Sequence, residues 1–507
     1  MQDGRWMRWA LSAAVVFCVV GCKRTQQQGA ITLLHTNDMH SQYIPMAATW
    51  VDTKPRPLIG GAVALEEQIR RIRQHRPASL LLDAGDILTG TPLSKIAVNG
   101  AKGGGFVEMM NLMGYDVMTI GNHEFDEGQE NLRRLIELAD FDVLSANLLV
   151  NGKLLAPLGE KIYQVGNLKV GVVGLILSDL ADVTAVKNLA GVQVLDPVRT
   201  AQNAINRLDR KTDLIVLLSH QGYEQDLQLA QQIRGADVII GGHSHTRLPK
   251  PVKENGVLIV QTGSKTTSLG VLTCSVAGDS IADYDYELIS TWVDQVREPS
   301  KLLTERVELY RRQIDDEYGK TIGTLLTDWV RTDYAESNLG NFVTDAIRDQ
   351  ARSDFAVING GGIRKDLPAG PITKLDINEI LPFSNYLVTF ECTGKDLLTL
   401  IKTNARAAAL EKHSVLQVSG IDYSFRKISA DDVAILSANV GANPIDPQAV
   451  YRGATVDFVL FGQSQRYFGF EPQKHSEIGI LLADAVIERI LQQTEIRSFI
   501  EGRMQRR

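Results

Sequence analysis

Five short apolar runs in this chain each stop at residues that can bind a metal ion. Residues 31–34 lead to Asp38 and His40, 80–82 to Asp83 and Asp86, and 117–120 to Asn122 and His123. Residues 214–218 lead to His220, and 238–240 to His243 and His245. Continuous apolar runs bounded by Gly and polar residues suit strands buried on both faces. Loops at the carboxyl ends of such strands are where open α/β sheets gather ligands. A lone His220 would be read as an ordinary strand-end histidine. Five loops supplying only Asp, Asn and His are hard to explain by packing. Asp83 reads as a structural cap of its loop, and His35 and His75 as residues without a functional role.

The donor set restricts the chemistry. Oxygen and nitrogen ligands with no thiolate favour Zn, Mn, Fe or Co over a cysteine-rich structural zinc site. A carboxylate shared by two ions can hold them about 3.5–4 Å apart, where the pair clamps the attacking and leaving oxygens of an in-line displacement and activates a water. Asp86 is the natural bridge. His123 reads as a catalytic group rather than a ligand, with Asp126 orienting its ring, so that it stabilises phosphoryl charge or assists the leaving oxygen.

These residues resemble the calcineurin-like metallophosphoesterases, and more narrowly the 5'-nucleotidase family, which includes periplasmic UDP-sugar hydrolases and ecto-5'-nucleotidases. The resemblance implies that Asp38, His40, Asp86 and His245 hold one metal. It assigns Asp86, Asn122, His220 and His243 to the other, and makes His123 and Asp126 a catalytic dyad. It also implies an α/β fold of two domains: a four-layer α-β-β-α catalytic domain followed by a smaller α+β substrate-binding domain.

The second half of the chain carries its own match. Asn338-Leu339-Gly340-Asn341 is similar to the family's entry into the second domain, and Asn359-Gly360-Gly361-Gly362-Ile363-Arg364 looks like its substrate loop. A Gly-rich turn lets backbone approach a ligand, and Arg offers a bidentate fork for phosphate. Phe383, in Leu381-Pro382-Phe383, and Phe458 correspond to the two walls of a nucleobase clamp. Without the resemblance both would be read as core residues. Two departures stand out. Ser464 occupies the position of an acid that contacts the nucleoside in relatives. Arg331, the best match for a second substrate arginine, lies about two residues further from Asn338 than the pattern expects.

At 507 residues the chain is long enough for two or three domains, and 44% hydrophobic with 22% charged residues is globular composition. A net charge of −7 argues against a nucleic-acid scaffold. Arg5 and Arg8 precede an apolar stretch too short to span a bilayer comfortably, and Val19-Val20-Gly21-Cys22 resembles a bacterial lipobox. The expectation is a lipoprotein signal peptide at 1–22 with Cys22 lipidated, against a plain cleaved signal or an uncleaved anchor. Lys23 after the cysteine does not mark inner-membrane retention. The boundaries follow: a tether at 23–29, a catalytic domain at 30–291, a connecting helix at 292–320 and a substrate-binding domain at 321–507. Cys274 and Cys392 fall in different domains and are expected as buried free thiols.

The reading is a lipid-anchored hydrolase of the bacterial cell envelope, at the outer membrane facing the periplasm or cell surface. It would use two divalent metal ions (Zn, Mn, Co or Fe) to release phosphate from nucleoside 5'-monophosphates, with UDP-sugars and other 5'-nucleotides as further candidates. Its partners would be a nucleotide substrate and the membrane, not nucleic acid; the oligomeric state stays open. The alternatives are a 2',3'-cyclic phosphodiesterase or a sulfur-compound hydrolase on the same scaffold, and a non-catalytic envelope binding protein.

Overall fold

The run at 31–34 lies inside the strand Gln28–Thr36, which pairs in parallel with Ser79–Asp83 and antiparallel with Ser268–Ala277. Val117–Thr119 and Asp142–Leu144 continue the parallel side, and Ile281–Ser290 completes a six-stranded sheet. The computed structural model describes residues 28–48, 50–53, 55–411 and 414–507. The expected signal segment with Cys22, and residues 23–27 of the tether, lie outside the described residues. A second six-stranded sheet places Leu168–Ile176, Leu214–His220, Val238–Gly241 and Val257–Val260 in parallel, with Glu160–Val165 and Val252–Glu254 antiparallel at its edges.

The period of two along each strand sets the layers. Ile31, Leu33, Leu80 and Leu82 of the first sheet share one buried core with Val170, Val172, Val216 and Leu218 of the second. Alternate residues face outward. Leu34 and Leu81 pack with the helices Ala62–His75 and Gly104–Met113 through Leu65, Ile69, Phe106 and Met110. Val173, Ile215 and Leu217 pack with Pro197–Leu208 and Tyr223–Gln232 through Ala201, Ile205 and Leu229. Helix, sheet, sheet and helix form the expected four layers.

Within 292–320 the helix runs Lys301–Tyr318, and the Ser300 side chain accepts from the Leu303 amide at its start. Leu303, Val307, Tyr310 and Ile314 recur at helical spacing and are buried in the outer layer of the first domain. The connector therefore packs as part of that domain and is not a free strut.

The second half builds a separate core around a five-stranded sheet in the order Leu416–Ser419, Phe355–Asn359, Val450–Val456, Tyr386–Thr393, Lys474–Leu481. The helices Asn338–Ala351 and Gly394–Leu410 pack on it. The first begins at Ser337, whose side chain accepts from the Gly340 amide. Cys274 and Cys392, one in each half, are buried free thiols. Among the described residues no helix is long and apolar enough to cross a membrane.

Candidate active site

All seven expected ligands stand at the carboxyl ends of parallel strands of the two sheets. Asp38 and His40 follow Gln28–Thr36, Asp86 follows Ser79–Asp83, and Asn122 follows Val117–Thr119. His220 ends Leu214–His220, and His243 and His245 follow Val238–Gly241. Five of the seven adopt left-handed backbone: Asp38 (φ 51°), His40 (50°), Asp86 (60°), His243 (71°) and His245 (52°). Such conformations are uncommon outside glycine and concentrate where the surrounding structure forces side chains together. Two glycines let the loops touch. A Cβ on Gly121 would stand 2.3 Å from Asp86 Oδ1, and one on Gly242 2.7 Å from the Ala84 carbonyl.

The donors converge into two groups. Asp38, His40 and His245 form one and Asp86, His220 and His243 the other, with the ligand atoms of each group within 4.8 Å of one another. Asn122 Oδ1 joins the second, 2.9 Å from His243 Nδ1 and 3.3 Å from His220 Nε2. The ring orientations fit metal binding. His40 Nδ1 lies 3.0 and 2.8 Å from the Leu88 and Thr89 carbonyls, and His220 Nδ1 lies 2.7 Å from the Ala84 carbonyl. A carbonyl only accepts, so each Nδ1 carries the proton and each Nε2 presents its lone pair inward. There His40 Nε2 stands 2.9 Å from His245 Nε2, and His220 Nε2 3.1 Å from Asp86 Oδ2. Lone pairs facing each other at this range call for a cation between them. The donor set fits a divalent ion in each group.

The field of the site has the same cause. Burial opposes charge on the ring of His220, but Asp86 and Asp38 outweigh it and push its pKa up to about 10, so a cation bound at Nε2 would displace a proton that the same two carboxylates attract. For His123 burial again opposes charge, and Asp86 and Asp126 raise the pKa to about 9. Burial and the neighbouring His220 lower His243 to about 4.

The structure sets His123 beside Asp126. Its Nδ1 lies 2.8 Å from Asp126 Oδ2, its amide donates to Asp86 Oδ1 at 2.8 Å, and its Nε2 is 3.8 Å from Asp86 Oδ2. The ring also stacks on Phe383 from the other domain, centroids 5.6 Å apart. His40 and His245 of one group and Asp86, Asn122 and His243 of the other line one cavity of about 960 Å³ with Arg331, Asn359, Arg364, Phe383 and Phe458. The interdomain cleft thus brings all the expected substrate residues together. Arg364 lies over the Phe383 ring at 5.8 Å. Arg331 pairs with Asp333 at 3.0 Å at the rim. Ser464, in contrast, is buried in the first turn of the helix Ser464–Phe468, and Arg466 and Tyr467 of that helix line the cavity.

Sequence reasoning missed several supporting residues. Glu124 is buried and accepts four backbone N–H groups: Gly121 at 2.7 Å, Asp86 at 3.0 Å, Ile87 at 2.9 Å and Leu88 at 3.3 Å. It fastens the loop of Asp86 to that of Asn122. Burial, with Asp86 nearby, raises its pKa to about 7. Its place inside the Asn122–Asp126 segment was the available signal. Asn37 ties Asp38 to the far sheet, donating to Asp38 Oδ2 at 2.6 Å and to the Gly263 carbonyl at 2.7 Å. Thr89 donates to Asp126 Oδ2 at 2.5 Å, and Lys265 lines the cavity. Nothing in the sequence marked these two. Asp83 caps its loop as expected, accepting from the Gly85 amide at 2.9 Å.

Comparison with known proteins agrees with this geometry. Residues 31–247 match the calcineurin-like phosphoesterase family and 320–470 the 5'-nucleotidase C-terminal domain. The chain is 27% identical to Protein UshA of Escherichia coli over 85% of each. It is 28% identical, over 88% of its length, to the trifunctional nucleotide phosphoesterase protein YfkN of Bacillus subtilis, of which it spans 33%. Among solved structures, a 5'-nucleotidase precursor from Thermus thermophilus superposes with a TM-score of 0.84 at 28% identity, covering 94% of this chain and 99% of that one.

Proposed function

The chain belongs to the 5'-nucleotidase family of metal-dependent phosphoester hydrolases, and we propose that within it this protein releases phosphate from nucleoside 5'-monophosphates. The observation that carries this reading is the single cleft. It joins two metal-ligand groups and the His123–Asp126 pair to an arginine and two aromatic rings of the second domain.

The ions, held by Asp38, His40 and His245 and by Asp86, Asn122, His220 and His243, supply Lewis-acid stabilisation of phosphoryl charge when bound. The other roles belong to the chain. Asp126 holds His123 with Nδ1 engaged, leaving Nε2 free to protonate the leaving oxygen or stabilise phosphoryl charge. Arg364 and Asn359 orient the substrate. Phe383 and Phe458 hold the base by stacking, which tolerates any base because each has a π-face. Membrane attachment through lipidated Cys22, in a bacterial envelope, is part of the same proposal. Palmitate labelling that disappears in Cys22→Ser supports it, and an unlabelled, soluble wild type overturns it.

Phosphate release from AMP, UMP, UDP-glucose, a 2',3'-cyclic nucleotide and p-nitrophenyl phosphate, after chelation and reloading with Mn, Zn, Co or Fe, tests the reading. The monophosphates should lead. Faster release from the cyclic nucleotide, or activity unaffected by chelation, would overturn it.

A further inference from the structure

Residues 180–189 of the first domain touch both halves of the cleft. On one side they grip the loop of the His123–Asp126 pair. Asn188 Nδ2 donates to the Phe125 carbonyl at 2.9 Å and to the Asp126 carbonyl at 3.1 Å, and Gln129 Nε2 donates to the Asn188 carbonyl at 3.0 Å. On the other side they meet the second domain. Gln463 Nε2 donates to the Ala181 carbonyl at 2.8 Å, and a Cβ on Gly462 would stand 2.4 Å from Val186 Cγ2. Lys187, next to Asn188, reaches across and donates to Asp457 Oδ2 at 2.8 Å.

Asp457 joins the segments that carry the two aromatic rings. Its side chain is only 9% exposed, and Oδ1 accepts the Phe458 amide at 2.9 Å and the Tyr386 amide at 3.1 Å. Tyr386 opens the strand Tyr386–Thr393, three residues after Phe383. One carboxylate therefore staples the backbone of Phe458 to the backbone that follows Phe383. A carboxylate so far from water needs a counter-charge. Lys187 supplies it from the opposite domain, and its ammonium also lies 5.3 Å from the centre of the Tyr386 ring. Asn188 fixes the backbone from which Lys187 reaches.

We propose that Lys187 and Asp457, one from each domain, are positioning residues that set the gap between Phe383 and Phe458 and so decide how tightly a nucleobase is held. This rests on the nucleotide reading above. The pair acts through the two rings and not on the scissile phosphate. Its effect therefore belongs to KM for substrates that carry a base, and not to the chemical step.

The test is kinetic, on the metal-loaded enzyme, with AMP, ribose 5-phosphate and p-nitrophenyl phosphate as substrates. The proteins are the wild type, Lys187→Met, Lys187→Arg, Asp457→Asn and the Lys187→Met/Asp457→Asn double variant. The Lys187 side chain is 55% exposed, so the fold should tolerate its replacement, and Tm of each variant checks this. Lys187→Met should raise KM for AMP by roughly three- to tenfold, between the effect of an exposed ion pair and that of a hydrogen bond to a buried charge, with kcat unchanged. The other two substrates lack a nucleobase, and their KM should stay within about twofold. Lys187→Arg should restore AMP binding. Asp457→Asn keeps an oxygen for the two amides and loses the charge, so it should match Lys187→Met, and the double variant should lose no more than either single one. Losses that multiply in the double variant, or a loss shared equally by all three substrates, would reduce the contact to support of the fold and overturn the proposal. A wild type with the same KM for AMP and ribose 5-phosphate overturns the stacking of the base and this pair together. A wild type that favours AMP, with that preference unchanged in Lys187→Met, overturns the positioning pair alone.

Discussion

The imidazole of His123 and the ring of Phe383 stack at 5.6 Å, 25° from parallel, although one belongs to the metal-ligand domain and the other to the substrate domain. Docking of the second domain therefore supports the ring of His123, to which we assign the proton transfer, as well as supplying a proposed wall for the base. Phe383→Ala should lower kcat for both AMP and p-nitrophenyl phosphate and raise KM for AMP. Phe458 packs on the second-domain core and lines the cavity. Phe458→Ala should raise KM for AMP and leave p-nitrophenyl phosphate nearly unchanged. A Phe383→Ala enzyme with normal kcat on p-nitrophenyl phosphate would remove the ring from any supporting role.

Thr89 links two parts of the site. Its hydroxyl donates to Asp126 Oδ2 at 2.5 Å, and its carbonyl lies 2.8 Å from His40 Nδ1. A β-branched residue at φ 58° is a strained choice, so the contacts that hold it there matter. Thr89→Val keeps the shape and loses the donor. It should lower kcat for AMP about tenfold, less than the roughly 10²–10⁴-fold supplied by a complete acid–base group. Metal content should stay unchanged and Thr89→Ser should recover activity. The loss should shrink on p-nitrophenyl phosphate, whose leaving group needs no proton. Equal losses on both substrates would place Thr89 outside the proton-transfer pathway.

The strand-end pattern was legible because burial on both faces writes itself as uninterrupted apolar residues, and each run ends where the strand gives way to a loop of polar residues that are themselves mostly buried. Asp38, His40, Asp86, Asn122, His220, His243 and His245 could be named from that pattern, and the structure gathers them. What the pattern lacked was the backbone between. Left-handed turns at five of these positions depend on contacts such as Gly121 against Asp86 and Asn37 against Gly263, which are distant in sequence. Ser464 shows the opposite case. Alignment placed it facing a nucleoside, but a short helix buries it and turns Arg466 and Tyr467 to the cleft. Lys265 carries no signal, because a lone lysine in a loop is usually solvated.

Glu124 offers a test of how the ligand loops are held. Its two oxygens each accept two backbone N–H groups. Glu124→Gln replaces one oxygen with an NH₂ that faces donors and cannot accept. Metal affinity, measured by chelator competition, should fall about 10–100-fold, the range for loss of a residue that orients ligands. Unchanged affinity would mean that the loops keep their shape without this carboxylate.

Asp237 gives a pH dependence far from the ligands. It accepts the Ile215 amide at 2.8 Å, and burial, helped by Asp279 and Asp209, raises its pKa to about 7. In the unfolded chain it titrates near ~4. Between those values the folded state holds a proton that the unfolded state has released. Its contribution therefore falls as pH rises from about 4 to about 7 and stays at its least favourable above that. Asp237→Asn keeps an oxygen for the Ile215 amide and cannot ionise. Its Tm should exceed the wild type's at pH 8, with the difference narrowing steadily to pH 5. Other buried acids with raised pKa, such as Asp226 at about 8, impose the same slope on both proteins and cancel in the difference. A variant less stable than the wild type at pH 8, or a gap that does not change with pH, would show that the Asp237 carboxylate is not held protonated by burial.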